Sequence, residues 1–113
     1  MSGVRITLGD VVMTAELNES RTARLIIEAL PFESTAQRWG EEVYFSIPVA
    51  AGEEDPQADA PSGTVGYWPP GQALCLFFGQ RPYSPVNVVG RLAGDPKVLE
   101  KVPEGQSVRV ERA

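Results

Sequence analysis

A closed β-barrel with helical caps is the architecture to expect of this chain. Short runs of alternating apolar and polar residues recur along its length, and only one long stretch carries helical spacing. An apolar run, 73–78, sits between a double proline and Gly79 with no polar side chain in it, as suits a strand buried on both faces. So many strands with so little helix need closure to avoid exposed edges. With 113 residues the chain has material for one core, and 1–113 is expected to be a single domain.

Val4, Ile6 and Leu8 alternate with Arg5 and Thr7, Gly9-Asp10 marks a turn, and Val11, Met13, Ala15 and Leu17 alternate again. That pattern is a hairpin with one buried face. From Ser20 to Leu30 the period changes, with Ala23, Ile26, Ile27 and Leu30 on one helical face and Pro31 as the stop. This helix is expected to cover an open end of the barrel. Residues 32–39 read as a polar, partly extended connector. Val43, Phe45, Ile47 and Val49 alternate with Tyr44, Ser46 and Pro48, a strand whose proline marks an end or an edge.

Residues 50–63, with Glu53, Glu54, Asp55 and Asp59, read as a mobile acidic surface loop. Their spacing lacks the alternation and closing Glu of a calcium loop. Residues 64–68 form the next strand. Pro69 and Pro70, lacking N–H groups, end it, and Pro70-Gly71 fits a type II turn with positive φ at Gly71. The 73–78 strand follows, then a proline-interrupted loop over 80–85. Val86, Val88 and Leu92 belong to a strand in which Gly90 allows a bulge or a close backbone approach. Asp95-Pro96 is a good cap and first helical residue for a short helix over 96–102. Pro103-Glu104-Gly105 turns the chain into a last strand carrying Val108 and Val110.

Composition excludes several classes of function. The net charge of −5 and the scattered basic residues leave no basic stripe for a nucleic-acid backbone. There is no histidine, which removes the commonest general base and metal ligand together; no metal or cofactor is expected. Without it, Ser46 and Ser84 have no usual triad partner. The single cysteine, Cys75, cannot form an intrachain disulfide and reads as a buried small hydrophobe. No apolar stretch reaches the roughly 18 residues of a membrane span, and no signal-peptide core is visible. A cytoplasmic protein with no membrane partner is the expectation.

Three segments carry a resemblance: Arg38-Trp-Gly-Glu-Glu-Val-Tyr-Phe-Ser-Ile-Pro48, Gly66-Tyr-Trp-Pro-Pro-Gly-Gln-Ala-Leu-Cys-Leu-Phe-Phe-Gly79 and Ser84-Pro-Val-Asn-Val-Val-Gly-Arg-Leu92. With them, from about Val4 to the terminal strand, the chain resembles a family of small bacterial and archaeal proteins of cyclophilin-like fold whose activity is not established. The resemblance implies a cyclophilin-like barrel with a helix closing an end. It does not imply prolyl isomerase activity, because the cyclophilin catalytic motif has no counterpart in this sequence.

Aromatic and charged residues concentrate in two places, Arg38, Trp39, Glu41, Glu42 and Tyr44, and Tyr67, Trp68, Phe77 and Phe78. If Val43, Phe45 and Ile47 fill the interior, Tyr44 and Ser46 point out. One of the two phases of β alternation turns Leu74, Leu76 and Phe78 inward and Cys75 and Phe77 outward; the pattern alone does not choose between them. Outward rings on an apolar strand need a cover. The 50–63 or 80–85 loop would supply it in the plainer case. The functional case is a groove lined by Tyr44, Tyr67, Trp68 and Phe77, with Arg38, Trp39 and Glu42 beside it. Such a groove suits a short peptide segment or a small carboxylate held by the Arg38 guanidinium. An ion pair of Arg38 with Glu41 or Glu42 is the structural alternative. Glu41 and Glu42 are adjacent and face opposite ways in a strand, so they do not make a hydrolase pair. The expected function is ligand binding. Weak prolyl isomerisation assisted by Arg38 is one alternative, and a subunit role with the 43–49 strand pairing a second copy as a homodimer is another.

Overall fold

The computed structural model describes residues 2–82 and 84–113, and strand dominates it. β1 (Ser2–Leu8) and β2 (Val11–Leu17) form the expected hairpin, whose turn holds Gly9 at φ +67°. Next come α1 (Arg21–Ala29), β3 (Phe32–Thr35), β4 (Gln37–Arg38) and β5 (Glu42–Ser46). β6 (Thr64–Trp68), β7 (Ala73–Phe77), β8 (Asn87–Leu92) and β9 (Ser107–Arg112) complete the wall. Two 3-10 turns, Pro69–Gly71 and Pro96–Lys101, punctuate it. The second is capped as expected, with the Asp95 carboxylate accepting the Lys97 N–H at 3.0 Å. No helix among the described residues is long and apolar enough to cross a membrane.

The strands pair antiparallel in the order β3-β9-β1-β2-β8-β6-β7-β5-β4. The two outermost, β3 and β4, are consecutive in the chain with only Ala36 between them. The Ala36 N–H donates to the Gln106 carbonyl at 2.7 Å, and its carbonyl accepts the Gly105 N–H at 2.8 Å. One bent stave therefore pairs with β9 on one side and β5 on the other, and the barrel is nearly closed. Residues 32–38 are thus strand where the sequence suggested a connector. Their more buried positions are Phe32, Ser34, Ala36 and Arg38, so two polar residues interrupt the apolar alternation. The start of β5 is no edge either: β7 flanks it on one side, and β4 pairs with Val43 and Tyr44 on the other.

The interior is one apolar core, to which α1 contributes Ala23 and Ile26. Ser20 caps α1 by accepting the Ala23 N–H at 3.2 Å. The 50–63 segment, expected to be mobile, is tied to this helix and to the wall. The Glu54 carboxylate accepts the Arg21 and Thr22 N–H groups at 3.0 and 2.8 Å and the Thr22 hydroxyl at 2.7 Å. The Glu54 N–H donates to Asn87 Oδ1 at 2.9 Å, and Asn87 Nδ2 donates to the Gly52 carbonyl at 2.9 Å. Gln57 and Val86 exchange a pair of backbone bonds. The unpaired N–H groups and positive pole of a helix N-terminus attract a carboxylate, which is why acidic composition here marks an anchor. Gly90 behaves as its place in a strand suggested. The β6–β8 register slips between Val65 and Gly66, and a Cβ on Gly90 would lie 2.3 Å from the Glu16 carbonyl oxygen.

Candidate ligand pocket on the barrel wall

Register decides which side chains face out. Glu42 lies opposite Phe77, Tyr44 opposite Cys75, Cys75 opposite Gly66, and Trp68 opposite Ala73. Paired residues share a face, so Glu42, Tyr44, Trp68, Cys75 and Phe77 stand on the outer face of β5, β6 and β7. Val43, Phe45, Leu74 and Leu76 fill the interior. A tight turn at the start of β5 brings Trp39 alongside. Trp39 and Glu42 exchange backbone bonds at 3.0 Å, and Gly40 supplies the positive φ of +56° between them.

Two glycines let covers lie directly on this wall. A Cβ on Gly66 would sit 2.7 Å from Val86 Cγ2, so its absence lets the start of β8 press against the sheet. A Cβ on Gly71 would sit 2.5 Å from the Trp68 indole. The positive φ of that turn falls on Gln72, at 48°, the residue that closes the 3-10 turn. The type II geometry expected with Gly71 in that role does not occur; Gly71 instead permits the close approach of the indole.

Both loops named as possible covers contribute. Ala60 and Val86 pack with Cys75 and Phe77 in a small apolar cluster outside the barrel, with Tyr44 and Trp68 against it. Phe77 is fully buried. Between the covers a cavity of about 300 Å³ remains, lined by Trp39, Glu42, Tyr44, Trp68, Cys75 and Phe77, with Pro82, Ser84 and Val86 on its loop side. The Trp68 indole N–H donates to the Ser84 hydroxyl. Tyr83 in the same loop lies outside the described residues.

Glu42 is the pocket's one carboxylate among the described lining residues, and only 7% of it is exposed. Burial pushes its pKa up from the ordinary 4.5, and hydrogen bonds with the Cys75 and Gln80 side chains oppose that rise. The Cys75 thiol is pushed well above its usual range, by burial first and then by the adjacent Glu42 charge. A thiol held protonated is a poor nucleophile. Among the described residues no cluster of His, Cys, Asp or Glu is placed to hold a metal ion. What the arrangement offers chemically is flat apolar walls, one buried carboxyl and a hydroxyl at the lip.

Arg38 and Tyr67 are not part of it. Arg38 lies opposite Val43, on the inward side, while its neighbour Gln37 lies opposite Tyr44. Its guanidinium donates to the carbonyls of Glu100, Val102 and Gly40 at 3.2, 2.8 and 3.2 Å and lies 5.3 Å from the Phe78 ring centre. It clasps the end of the second 3-10 turn and forms no ion pair with Glu41 or Glu42. Tyr67 points into the barrel, fully buried, and its hydroxyl donates to the Val49 carbonyl at 2.6 Å. Strand parity forbids Tyr67 from sharing a face with Trp68. The pocket residues that the sequence did not assign to the groove are Cys75, Pro82, Ser84 and Val86. Cys75 was detectable, because the phase that turns Phe77 outward turns it outward too.

The solution structure of the hypothetical protein AF2241 from Archaeoglobus fulgidus is similar to this fold, with a TM-score of 0.85 and 41% identity over 99% of this chain and 95% of that one. McbB, whose structure is of a complex with tryptophan, matches with a TM-score of 0.78 and 21% identity over 96% of this chain and 44% of that one. That second likeness is one of fold. No curated protein matches the chain. A model of the family described as Cyclophilin-like matches residues 2–111. Spanning nearly the whole barrel, that match makes the chain a member of the Cyclophilin-like family.

Proposed function

We propose that this protein is a ligand-binding barrel that seats a small molecule, or one side chain of a peptide, in the wall pocket between β5, β6 and β7. The observation that carries the reading is the cavity of about 300 Å³, walled by Trp39, Tyr44, Trp68 and Phe77 around the buried Glu42. A concave, mostly apolar cavity with few polar groups is the usual form of a small-molecule site. The strand backbones behind it are paired on both sides, so the walls are preorganised and little ordering opposes binding. The Arg38 guanidinium, on which an isomerase-type site would depend, is occupied by backbone carbonyls on the other face. Binding without catalysis is therefore the favoured reading.

Both tryptophans of the chain line the pocket, so intrinsic fluorescence reports its occupancy directly. Titration of aromatic small molecules and short peptides should change the fluorescence and shift the amide resonances of Trp39, Tyr44 and Trp68 together. Ligands that bind while shifting only residues remote from β5, β6 and β7 would refute the assignment.

A further inference from the structure

We infer that the ligand of this pocket carries a protonated amine beside a flat apolar body, with the Glu42 carboxylate as its counter-ion. This rests on the pocket being the binding site proposed above, and goes on to the chemical class it selects. A buried carboxyl in an apolar wall is costly unless something opposes its charge. The side chains that hydrogen-bond with Glu42, the Cys75 thiol and the Gln80 amide, are both neutral. Among the described residues no Lys or Arg lines the cavity. Arg38 is engaged on the opposite face, and Arg81, largely exposed, pairs with Asp59 at 3.6 Å. Among the described residues the site thus holds an acid and no base to balance it.

The aromatic lining points the same way. Trp39, Tyr44, Trp68 and Phe77 line the cavity, and aromatic rings attract cations over their faces, most strongly when solvent is excluded. An ammonium in this pocket meets a carboxylate and an aromatic lining. A carboxylate ligand, the class suggested by Arg38 in the sequence, would meet a like charge and no partner. A neutral hydroxyl of the same shape gains the stacking but not the charge. The chemical class selected is therefore an arylalkylamine or an aromatic residue with a free amino group. The volume limits it to a small ring system or a single residue.

The test is a matched series titrated against the whole protein by tryptophan fluorescence and amide NMR: phenethylamine, phenethyl alcohol and hydrocinnamate. Phenethylamine should bind at least about tenfold more tightly than the alcohol, with hydrocinnamate weakest. The amine preference should shrink with added salt. Glu42→Gln should collapse the amine-to-alcohol ratio towards one, and the wild-type series decides the matter even if that variant folds poorly. Equal binding of amine and alcohol, with shifts still centred on Tyr44 and Trp68, would overturn the charge inference and leave the pocket standing. If no compound perturbs Trp39, Tyr44 or Trp68, the pocket assignment and the inference built on it both fail.

Discussion

Tyr67→Phe removes one oxygen atom and leaves the packing of the ring intact. That oxygen donates to the Val49 carbonyl at 2.6 Å and accepts the Ala51 N–H at 3.2 Å. Tyr67 is fully buried and Val49 is 5% exposed, so water cannot replace the lost donor at that carbonyl. Ala51 is only half-buried, and its amide can turn to solvent. The loss is then one net hydrogen bond plus one stranded buried acceptor, about 1–3 kcal/mol together. For a domain of this size such a loss lowers the urea midpoint on the order of 1 M. Unfolding followed by circular dichroism measures it. Affinity for a pocket ligand should stay unchanged, because Tyr67 and the pocket lie on opposite sides of the wall. An unaltered midpoint would mean that the hydroxyl does not anchor the start of the 50–63 loop. A several-fold change in ligand affinity would mean that Tyr67 faces the pocket after all.

Glu54 sets a pH dependence whose sign follows from its hydrogen bonds. The Thr22 hydroxyl, then the Thr22 and Arg21 amides, hold its pKa at about 2, below the ordinary 4.5. A depressed folded pKa contributes stability that is fully present above about 4.5 and drains away as the pH falls to about 2. Glu54→Gln should therefore be less stable than wild type at pH 7, with the gap closing between those two values in urea titrations. Equal stability at pH 7 would show that the carboxylate does not hold the N-terminus of α1. Gly66→Ala places a methyl 2.7 Å from Val86 Cγ2 and 3.4 Å from the Phe77 ring. Overpacking of about 1–3 kcal/mol outweighs the roughly 0.4–1 kcal/mol gained by restricting the unfolded chain. The melting temperature should fall and the pocket should lose affinity as Val86 lifts; an unchanged melt and titration would contradict the contact.

Much of the barrel was legible because its strands bury one face or both without interruption. Val4, Ile6 and Leu8, and the unbroken 73–78 run, announce themselves through alternation and apolarity. β3 and β4 did not, since Ser34 and Arg38 take inward positions that an alternating pattern reserves for apolar residues. The pocket was half legible for a related reason. Trp39, Glu42, Tyr44, Trp68 and Phe77 stand out as aromatic or acidic residues on an apolar wall, and the structure gathers them. Arg38 and Tyr67 were assigned by nearness in sequence to that group, and strand parity sends each to the other side. Ser84 and Val86 depend on how tightly a distant loop lies against Gly66, which local pattern does not encode. The acidic 50–63 stretch misled in the opposite direction, because composition records charge but not the helix end that Glu54 satisfies.

The stave formed by β3, Ala36 and β4 belongs to both margins of the sheet at once. The nearly closed cylinder is therefore joined at its seam by covalent continuity as well as by hydrogen bonds. A peptide-bond scission at that seam would leave β3 on β9 and β4 on β5 by hydrogen bonds alone, and a strand that then peeled away would leave an edge open to strand addition. The seam of the wall thus rests on a few residues whose polar character hides their importance.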